Sequence, residues 1–291
     1  MLLPTLLLAL GTAQASVAEE CQELAQQGPP DDYQEADQEA YLLNYFSLAT
    51  TFSPLHAPVP HKPGHGSVSL EGSIIPPLNC ERRLVLAYTK SEDTNKAPLL
   101  PRPRVTFAFP KLGPVVPYAS FAYVPPVTVF GTRNVIVSGE VGGGIQTEGA
   151  FSYGARFHAT LMKTVAEIAT PFEEGEEAVD DLYVGSTFGV DLMAGMRLGE
   201  GWVPYAAVGF TDVSTIFYVG DDDYISNNQT PYAGLATSLG LDVKVVEKLS
   251  LAGEVYAAPY NFTREYIDGS GTVNNRPSSF VTGRLRAGYR W

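Results

Sequence analysis

The last stretch of the chain, residues 280–291, reads FVTGRLRAGYRW and alternates strictly between two kinds of side chain. One parity carries the apolar or small residues Val281, Gly283, Leu285, Ala287, Tyr289 and Trp291. The other parity carries Thr282, Arg284, Arg286, Gly288 and Arg290. Successive side chains of a β-strand point to opposite faces of a sheet, so the stretch predicts a strand with one apolar and one cationic face.

The same alternation recurs along most of the chain. In residues 151–161, for example, Phe151 and Phe157 share one parity, and Arg156 lies on the other. Predicted strands fall near residues 67–75, 103–110, 115–124, 133–145, 150–163, 182–197, 202–219, 230–245, 249–260 and 279–291. The chain is therefore expected to be all-β.

The connections between these strands alternate in length. Tight turns lie at residues 111–114, 146–149, 198–201 and 246–248, and long polar loops lie near 125–133, 164–181, 220–230 and 261–278. Short turns at one rim and long loops at the other are typical of outer-membrane barrels. The alternative is a soluble secreted sandwich, whose strands would bury the apolar face against a second sheet.

With its terminal aromatic residue, the last strand resembles the terminal strand of bacterial outer-membrane β-barrels. In those proteins the assembly machinery of the outer membrane reads this strand, so the resemblance implies that Tyr289 and Trp291 form an assembly signal. It implies an antiparallel transmembrane β-barrel of 10–12 strands in the outer membrane of a Gram-negative bacterium. Expected partners are the lipid bilayer, lipopolysaccharide and the assembly machinery. We expect a monomer, because trimeric porins usually have more strands.

The composition excludes several other classes of protein. The 291 residues are 45% hydrophobic and 18% charged, which is too apolar for a disordered chain. A net charge of −13 argues against nucleic-acid binding, because phosphate backbones repel it. Outside the first fifteen residues, no apolar run approaches the roughly 20 residues that a membrane-spanning helix needs.

The N-terminal region differs from the rest. Residues 1–15 end in Ala13-Gln14-Ala15 and predict a secretory signal peptide, with an alternative cleavage point after Ala18. Residues 16–66 predict a helix followed by a Pro/His-rich segment, which would form a periplasmic cap or a plug. Residues 67–291 would form the barrel.

Cys21 and Cys80 predict a disulfide, because exported proteins with an even cysteine count commonly pair them. With ten strands, Cys80 lies in a long outer loop at residues 76–102, and pairing would require the N-terminal segment to thread the lumen. With twelve, residues 45–55 and 83–90 become strands, and Cys80 lies in a periplasmic turn beside Cys21. We favour twelve strands, because this arrangement needs no threading.

The polar parity of the strands is expected to face the lumen. The main candidates for lumen-lining residues are Arg156, His158, Asp191, Asp242, Glu254, Arg284, Arg286 and Arg290. Glu71, Glu140, Asp212, Arg104, Arg197 and Lys244 belong to the same expected set. Positive and negative charges nearly balance, and buried charges need partners, so ion pairs are expected inside the barrel.

No metal or other cofactor is expected. His56, His61 and His65 are crowded into one segment, but their spacing among prolines does not match a preformed metal site. The acidic runs at residues 173–181 and 221–223 could bind divalent cations at the outer surface, although no calcium-loop spacing is present. A solvated surface loop is the simpler interpretation.

Three functions follow from this description. The first is a porin-like channel or small-solute transporter of unknown substrate, in which the N-terminal segment could plug the lumen. Long-chain fatty-acid transporters also place an N-terminal segment inside their barrel. Residues 17–66 are only loosely similar in role and lack that family's Asn-Pro-Ala signature. The second is a structural or surface-interaction barrel of the envelope without transport.

The third function, a membrane-embedded hydrolase, is the weakest. The omptin family of outer-membrane proteases has ten strands and carries Asp/His catalytic groups at the outer rim. Here Asp221–Asp223 and His158, placed near the outer end of its strand, are the candidates for such a pair. No Ser-His or His-Glu-x-x-His motif is present. We therefore expect that the protein is not an enzyme.

Overall fold

A computed structural model describes residues 17–29, 35–85, 88–92, 98–129, 132–166, 169–171, 180–199, 201–219, 223–226, 232–259 and 279–291. The expected signal peptide, residues 173–179 of the first acidic run, Asp221 and Asp222 lie outside the described residues. The alternative cleavage point after Ala18 falls among residues whose side chains are not described. Within the described part, no helix is both long enough and apolar enough to traverse a bilayer.

Three helices and fourteen strands are described. The helices are α1 (Val17–Gln26), α2 (Glu35–Thr50) and α3 (Cys80–Arg83). The strands are β1 (Gly66–Ile74), β2 (Leu84–Val85), β3 (Lys90–Glu92), β4 (Leu99–Ala108), β5 (Val115–Val129), β6 (Thr132–Gln146), β7 (Phe151–Ala166), β8 (Ala169–Pro171), β9 (Asp181–Met196), β10 (Trp202–Val219), β11 (Asp223–Ser226), β12 (Ala233–Lys244), β13 (Leu249–Ala258) and β14 (Phe280–Arg290).

Ten of these strands form a closed antiparallel barrel in the order β1-β4-β5-β6-β7-β9-β10-β12-β13-β14, and β14 pairs back onto β1. Closure removes the unpaired strand edges that a bilayer could not solvate. The expected barrel is confirmed. The preference for twelve strands is wrong, because residues 45–55 are not a strand and the described part of residues 83–90 contributes only β2 and the first residue of β3, both outside the barrel.

The two rims of the barrel differ. One rim carries the tight turns at residues 109–114, 147–150, 197–201 and 245–248, together with the start of β1 and the end of β14. In outer-membrane barrels the short turns face the periplasm. We therefore call this the periplasmic rim and the opposite one the outer rim.

The strands are apolar outside and polar inside. Leu239, Leu285 and Leu192 point outward and are 67%, 64% and 64% exposed, whereas Arg284 and Arg286 point inward and are 1% and 2% exposed. A soluble sandwich would bury the apolar face, so the exposed band identifies a lipid-facing surface. Asp212 was expected inside, but it shares the outward parity of Phe210 and Ile216, so that expectation is wrong.

Prolines shape the wall between β4 and β5. The pairing of these strands covers only Arg104 to Ala108, because β4 carries Pro101 and Pro103 beyond that point and prolines donate no ladder hydrogen bond. In β5, Pro125 and Pro126 lie where the register with β6 shifts, as expected of a bulge. The strands nevertheless continue to Val129 and resume at Thr132, so the expected loop at 125–133 is mostly strand.

The N-terminal segment threads the barrel. Helix α1 packs against α3, β3 and β8 at the outer rim, and we call this group, with β2, the outer cap. Helix α2 then contacts the inner wall at β9, β10 and β14, and the chain descends to β1 at the periplasmic rim. The Cys21–Cys80 disulfide is confirmed, with Cα atoms 5.4 Å apart, but it lies on the outer side.

Candidate functional site: the occupied lumen

The lumen is occupied by residues 42–61, which we call the lumen segment. Nearly all of these side chains are buried, and Phe52, Leu55 and His56 have no exposed surface. The outer half packs on apolar wall residues, and Leu43 joins a hydrophobic cluster with Ile136. The Leu43 carbonyl also accepts a hydrogen bond from the Tyr183 hydroxyl at 2.7 Å. The periplasmic half meets charged wall residues.

Helix α2 ends in the middle of the barrel, where its last carbonyls need partners. The last carbonyls of a helix lack intrahelical donors and carry a partial negative charge. The last turn of α2 has no basic residue of its own, so the wall supplies the cations. Four wall arginines, Arg102, Arg104, Arg156 and Arg284, do this, and we call them the arginine clamp.

The clamp binds five backbone carbonyls in and just after the last turn. Arg284 donates to the Leu48 and Thr51 carbonyls at 3.0 and 2.6 Å. Arg102 donates to the Thr50 carbonyl at 2.8 Å. The Phe52 and Ser53 carbonyls accept bonds from Arg156 and Arg104 at 2.9 and 3.1 Å. The clamp therefore recognises the backbone of the lumen segment.

Buried carboxylates hold the clamp in place. Glu71 forms ion pairs with Arg102 and Arg104, the latter at 3.2 Å. Glu140 pairs with Arg104 and with Arg156 Nη1, the latter at 2.6 Å. Asp191 Oδ2 lies 2.6 Å from Arg156 Nη2. A buried arginine is costly unless it is paired, so these carboxylates make Arg102, Arg104 and Arg156 tolerable inside the wall.

Two side chains of the lumen segment extend the network. The Phe52 ring lies 4.1 Å from the Arg104 guanidinium and 4.9 Å from that of Arg102. His56 Nε2 lies 2.9 Å from Glu140, and its Nδ1 lies 2.7 Å from the Ala57 carbonyl. Both ring nitrogens of His56 therefore have a hydrogen-bond acceptor within reach.

Glycines form a recess for Pro58. Gly144, Gly154 and Gly195 point inward from neighbouring strands, and a Cβ atom on each would lie 2.2, 3.2 and 2.9 Å from the nearest Pro58 atom. Such distances leave no room for a side chain at Gly144 or Gly195 without displacing the lumen segment. The wall is therefore shaped to fit this segment.

The structure places the eight main lumen candidates on the inner wall. Arg156 and Arg284 belong to the clamp, and Asp191 supports it. Glu254 accepts a bond from the Leu55 amide at 3.1 Å and from the Tyr205 hydroxyl at 2.8 Å. Asp242 forms a separate group near the periplasmic rim, 2.7 Å from Arg290 and 3.4 Å from Arg286.

His158 was expected near the outer end of its strand, but it lies at the middle of β7. It is 1% exposed, and its Nε2 is 3.6 Å from Asp191. The expected position is wrong because β7 continues to Ala166, further than its alternation indicated.

Some functional residues were missed at the sequence level. Arg102 shares the parity of Arg104, and the alternation LLPRPR would have identified it, but the prolines obscured the strand. The Gly-rich run at residues 142–144 was a signal for close backbone approach. Nothing local pointed to Phe52 and Pro58 as wall contacts, since their partners lie far along the chain.

The three clustered histidines separate in the structure. His56 contacts Glu140, whereas His61 Nε2 lies 2.9 Å from the Ser67 hydroxyl, and His65 lies on the exposed rim. Across the described ranges, no group of three or more His, Cys, Asp or Glu side chains could hold a metal ion.

Comparison with known proteins bears on the fold alone. No family model and no curated protein matches the chain. Among solved structures, it is similar to the translocator domain of the autotransporter NalP from Neisseria meningitidis, with a TM-score of 0.45, 12% identity, and coverage of 95% of this chain and 100% of that one.

Two other solved structures are similar to the chain at lower TM-scores. Ail, the attachment invasion locus protein of Yersinia pestis, has a TM-score of 0.34 and 12% identity, covering 79% of this chain and 100% of its own. The Pseudomonas putida toluene transporter TodX has a TM-score of 0.37 and 11% identity, covering 84% and 74%. At these identities the likeness to all three structures concerns the barrel fold alone.

Proposed function

We propose that this protein is a closed surface-presenting barrel of the bacterial envelope, which anchors an outer cap in the outer membrane and conducts no solute. One observation carries the proposal: the arginine clamp holds the backbone of the lumen segment across the middle of the barrel. The porin-like interpretation needs a water-filled path through the same space.

The clamp makes spontaneous opening rare. Removal of the lumen segment would break five hydrogen bonds from arginines, each contributing about 1.5–3 kcal/mol. The total is on the order of 10 kcal/mol, so an open form would be populated about once in 10⁷ molecules. A segment held this firmly acts as a structural element.

The outer cap is the part that the barrel presents. Cys21, Leu84 and Tyr88 form its small core, and the Cys21–Cys80 disulfide joins α1 to the segment between β1 and β4. The disulfide fixes the outer end of the threaded chain, and the clamp fixes its centre. A surface-interaction role follows from this placement.

A tag-accessibility experiment tests the proposal. An epitope inserted at Gly28, beside α1, should bind antibody on intact cells. The same epitope at Gly113, in the β4–β5 turn, should bind only after lysis. Both glycines have positive φ and open space around them, so the insertions are matched. An epitope at Gly28 that is protected on intact cells would contradict the proposal.

Small-solute transport is the second candidate function. The supporting observation is a set of buried polar atoms without a partner among the described residues, on wall strands β7, β9 and β13. They include His158 Nδ1, Thr187 Oγ1 and Glu254 Oε1. Such atoms favour bound water, and a chain of waters could form a narrow path. Conductance measurements separate the two candidates.

The proposal includes no catalytic activity. The buried position of His158 supports this, because substrate at the outer rim could not reach it. We also propose that the protein acts as a monomer surrounded by bilayer lipid and lipopolysaccharide, and that Tyr289 and Trp291 serve as its assembly signal. Both rings are about half exposed on the last strand, at 52% and 50%.

A further inference from the structure

A cavity of about 530 Å³ opens at the periplasmic rim, below the lumen segment. Its lining comes mainly from the end of the lumen segment and the residues after it, three periplasmic turns and the ends of β6, β12 and β14. We call it the periplasmic bowl. It is separate from the arginine clamp and plays no part in the proposed presentation of the outer cap.

The lining of the bowl is strongly basic. Six cationic side chains converge on it from distant parts of the sequence: Lys62, Lys111, Arg197, Lys244, Lys248 and Arg290. Glu247 is the one acidic residue among the lining residues that the structure describes. The whole chain carries 19 basic and 32 acidic residues, so the positive charge of the bowl contrasts with the negative net charge of the protein.

Three of these six cations are available to a ligand. Arg290 is paired with Asp242, and Arg197 donates to the Gln146 side chain at 3.1 Å. Lys62, Lys111 and Lys244 have no carboxylate within ion-pair distance among the described residues, and all three are exposed. Like charges gathered without partners repel one another, which a bound anion would relieve.

His61 lines the bowl but adds no charge at neutral pH. Burial, together with the positive charges of Arg290 and Arg286, lowers its pKa to about 3. The positive potential therefore comes from the lysines and arginines. A concave surface with charges of one sign focuses that potential on its centre.

We propose that the periplasmic bowl binds a small soluble anion that carries two or more phosphate groups. The bowl falls within the size range of small-molecule sites, and separate lysine ammonium groups suit several phosphates better than one. Phosphate groups could also come from lipid headgroups. The bowl opens at the mouth of the barrel, away from the lipid-facing wall, so the soluble form is preferred.

Calorimetry on the full-length, disulfide-bonded protein in zwitterionic nanodiscs tests this site, with inorganic tripolyphosphate as the probe. We expect tripolyphosphate to bind one-to-one and orthophosphate to bind at least about tenfold more weakly. The double variant Lys62→Gln/Lys244→Gln should bind tripolyphosphate about tenfold more weakly than the unaltered protein. Raising the salt from 50 to 500 mM should weaken binding by a further tenfold or more, since the lysines are solvent-exposed.

The matched control is Arg133→Gln/Lys163→Gln, which removes two exposed cations from the outer halves of β6 and β7 and should leave affinity unchanged. Folded mobility on gels confirms that each variant is intact. Absent tripolyphosphate binding, or equal weakening in the control, would overturn the proposal. Nanodiscs containing anionic lipid distinguish the sources, and a tenfold loss of tripolyphosphate affinity there would assign the bowl to headgroups instead.

Discussion

Replacement of Arg284 by Gln tests the arginine clamp at the member that binds two carbonyls of the lumen segment. Arg284 is 1% exposed and binds two carbonyls of the lumen segment, at Thr51 and Leu48. Its guanidinium also lies 4.3 Å from the Tyr256 ring centroid. The shorter glutamine side chain cannot reach both carbonyls, so the two hydrogen bonds from Arg284 are lost, and of the clamp only Arg102 still binds the last turn of α2, at the Thr50 carbonyl.

The expected loss follows from these contacts. Two hydrogen bonds to a charged donor contribute about 3–6 kcal/mol together. Arg284 Nε has no partner among the described residues, and removal of that unsatisfied group returns about 1–3 kcal/mol. We therefore expect a net destabilisation of about 3 kcal/mol.

Urea unfolding of the refolded protein, followed by the separation of folded and unfolded bands on gels, measures this loss. With a slope of about 2 kcal/mol per molar urea, the midpoint should fall by about 1.5 M. The control is Arg197→Gln, at an exposed rim position, which should change stability by less than about 0.5 kcal/mol. Equal midpoints for the two variants would refute the clamp.

Two further predictions concern the fit and the tether of the threaded segment. Gly144→Ala should destabilise the protein by about 1–3 kcal/mol in the same urea assay, because its Cβ would lie 2.2 Å from the Pro58 carbonyl oxygen. Gly139→Ala, with its nearest contact at 3.6 Å, should be neutral, and equal effects would contradict the recess. Reduction of the Cys21–Cys80 disulfide should cost about 4 kcal/mol through the 59-residue loop, measured by urea unfolding with and without reductant. Unchanged stability on reduction would contradict the role of this disulfide in stabilising the folded chain.

The barrel wall was largely predictable because its signal is local. Alternation depends only on neighbouring residues, so the inward parity of Arg156, Asp191 and Arg284 followed from the sequence. The prediction that Asp212 faces the lumen was wrong, because Asp212 shares the outward parity of Phe210. A single carboxylate at a lipid-facing position departs from the usual alternation.

The threaded segment could not be predicted in the same way. Cys21 and Cys80 can be brought to one side by two extra strands or by threading, and both arrangements satisfy the disulfide. The difference lies in contacts between distant parts of the chain, such as Arg284 with the Thr51 carbonyl, 233 residues apart. A helix inside a polar lumen also needs no strong amphipathic pattern, since both its apolar and polar sides find partners.

Single-channel conductance of the refolded, disulfide-bonded protein in planar bilayers tests the central claim most directly. The lumen segment fills the barrel and the clamp holds it, so we expect no steady conductance in the unaltered protein. Brief openings should increase by about 100-fold in Arg284→Gln, matching a loss of about 3 kcal/mol. Steady conductance of the unaltered protein would contradict the closed barrel and restore the porin-like interpretation.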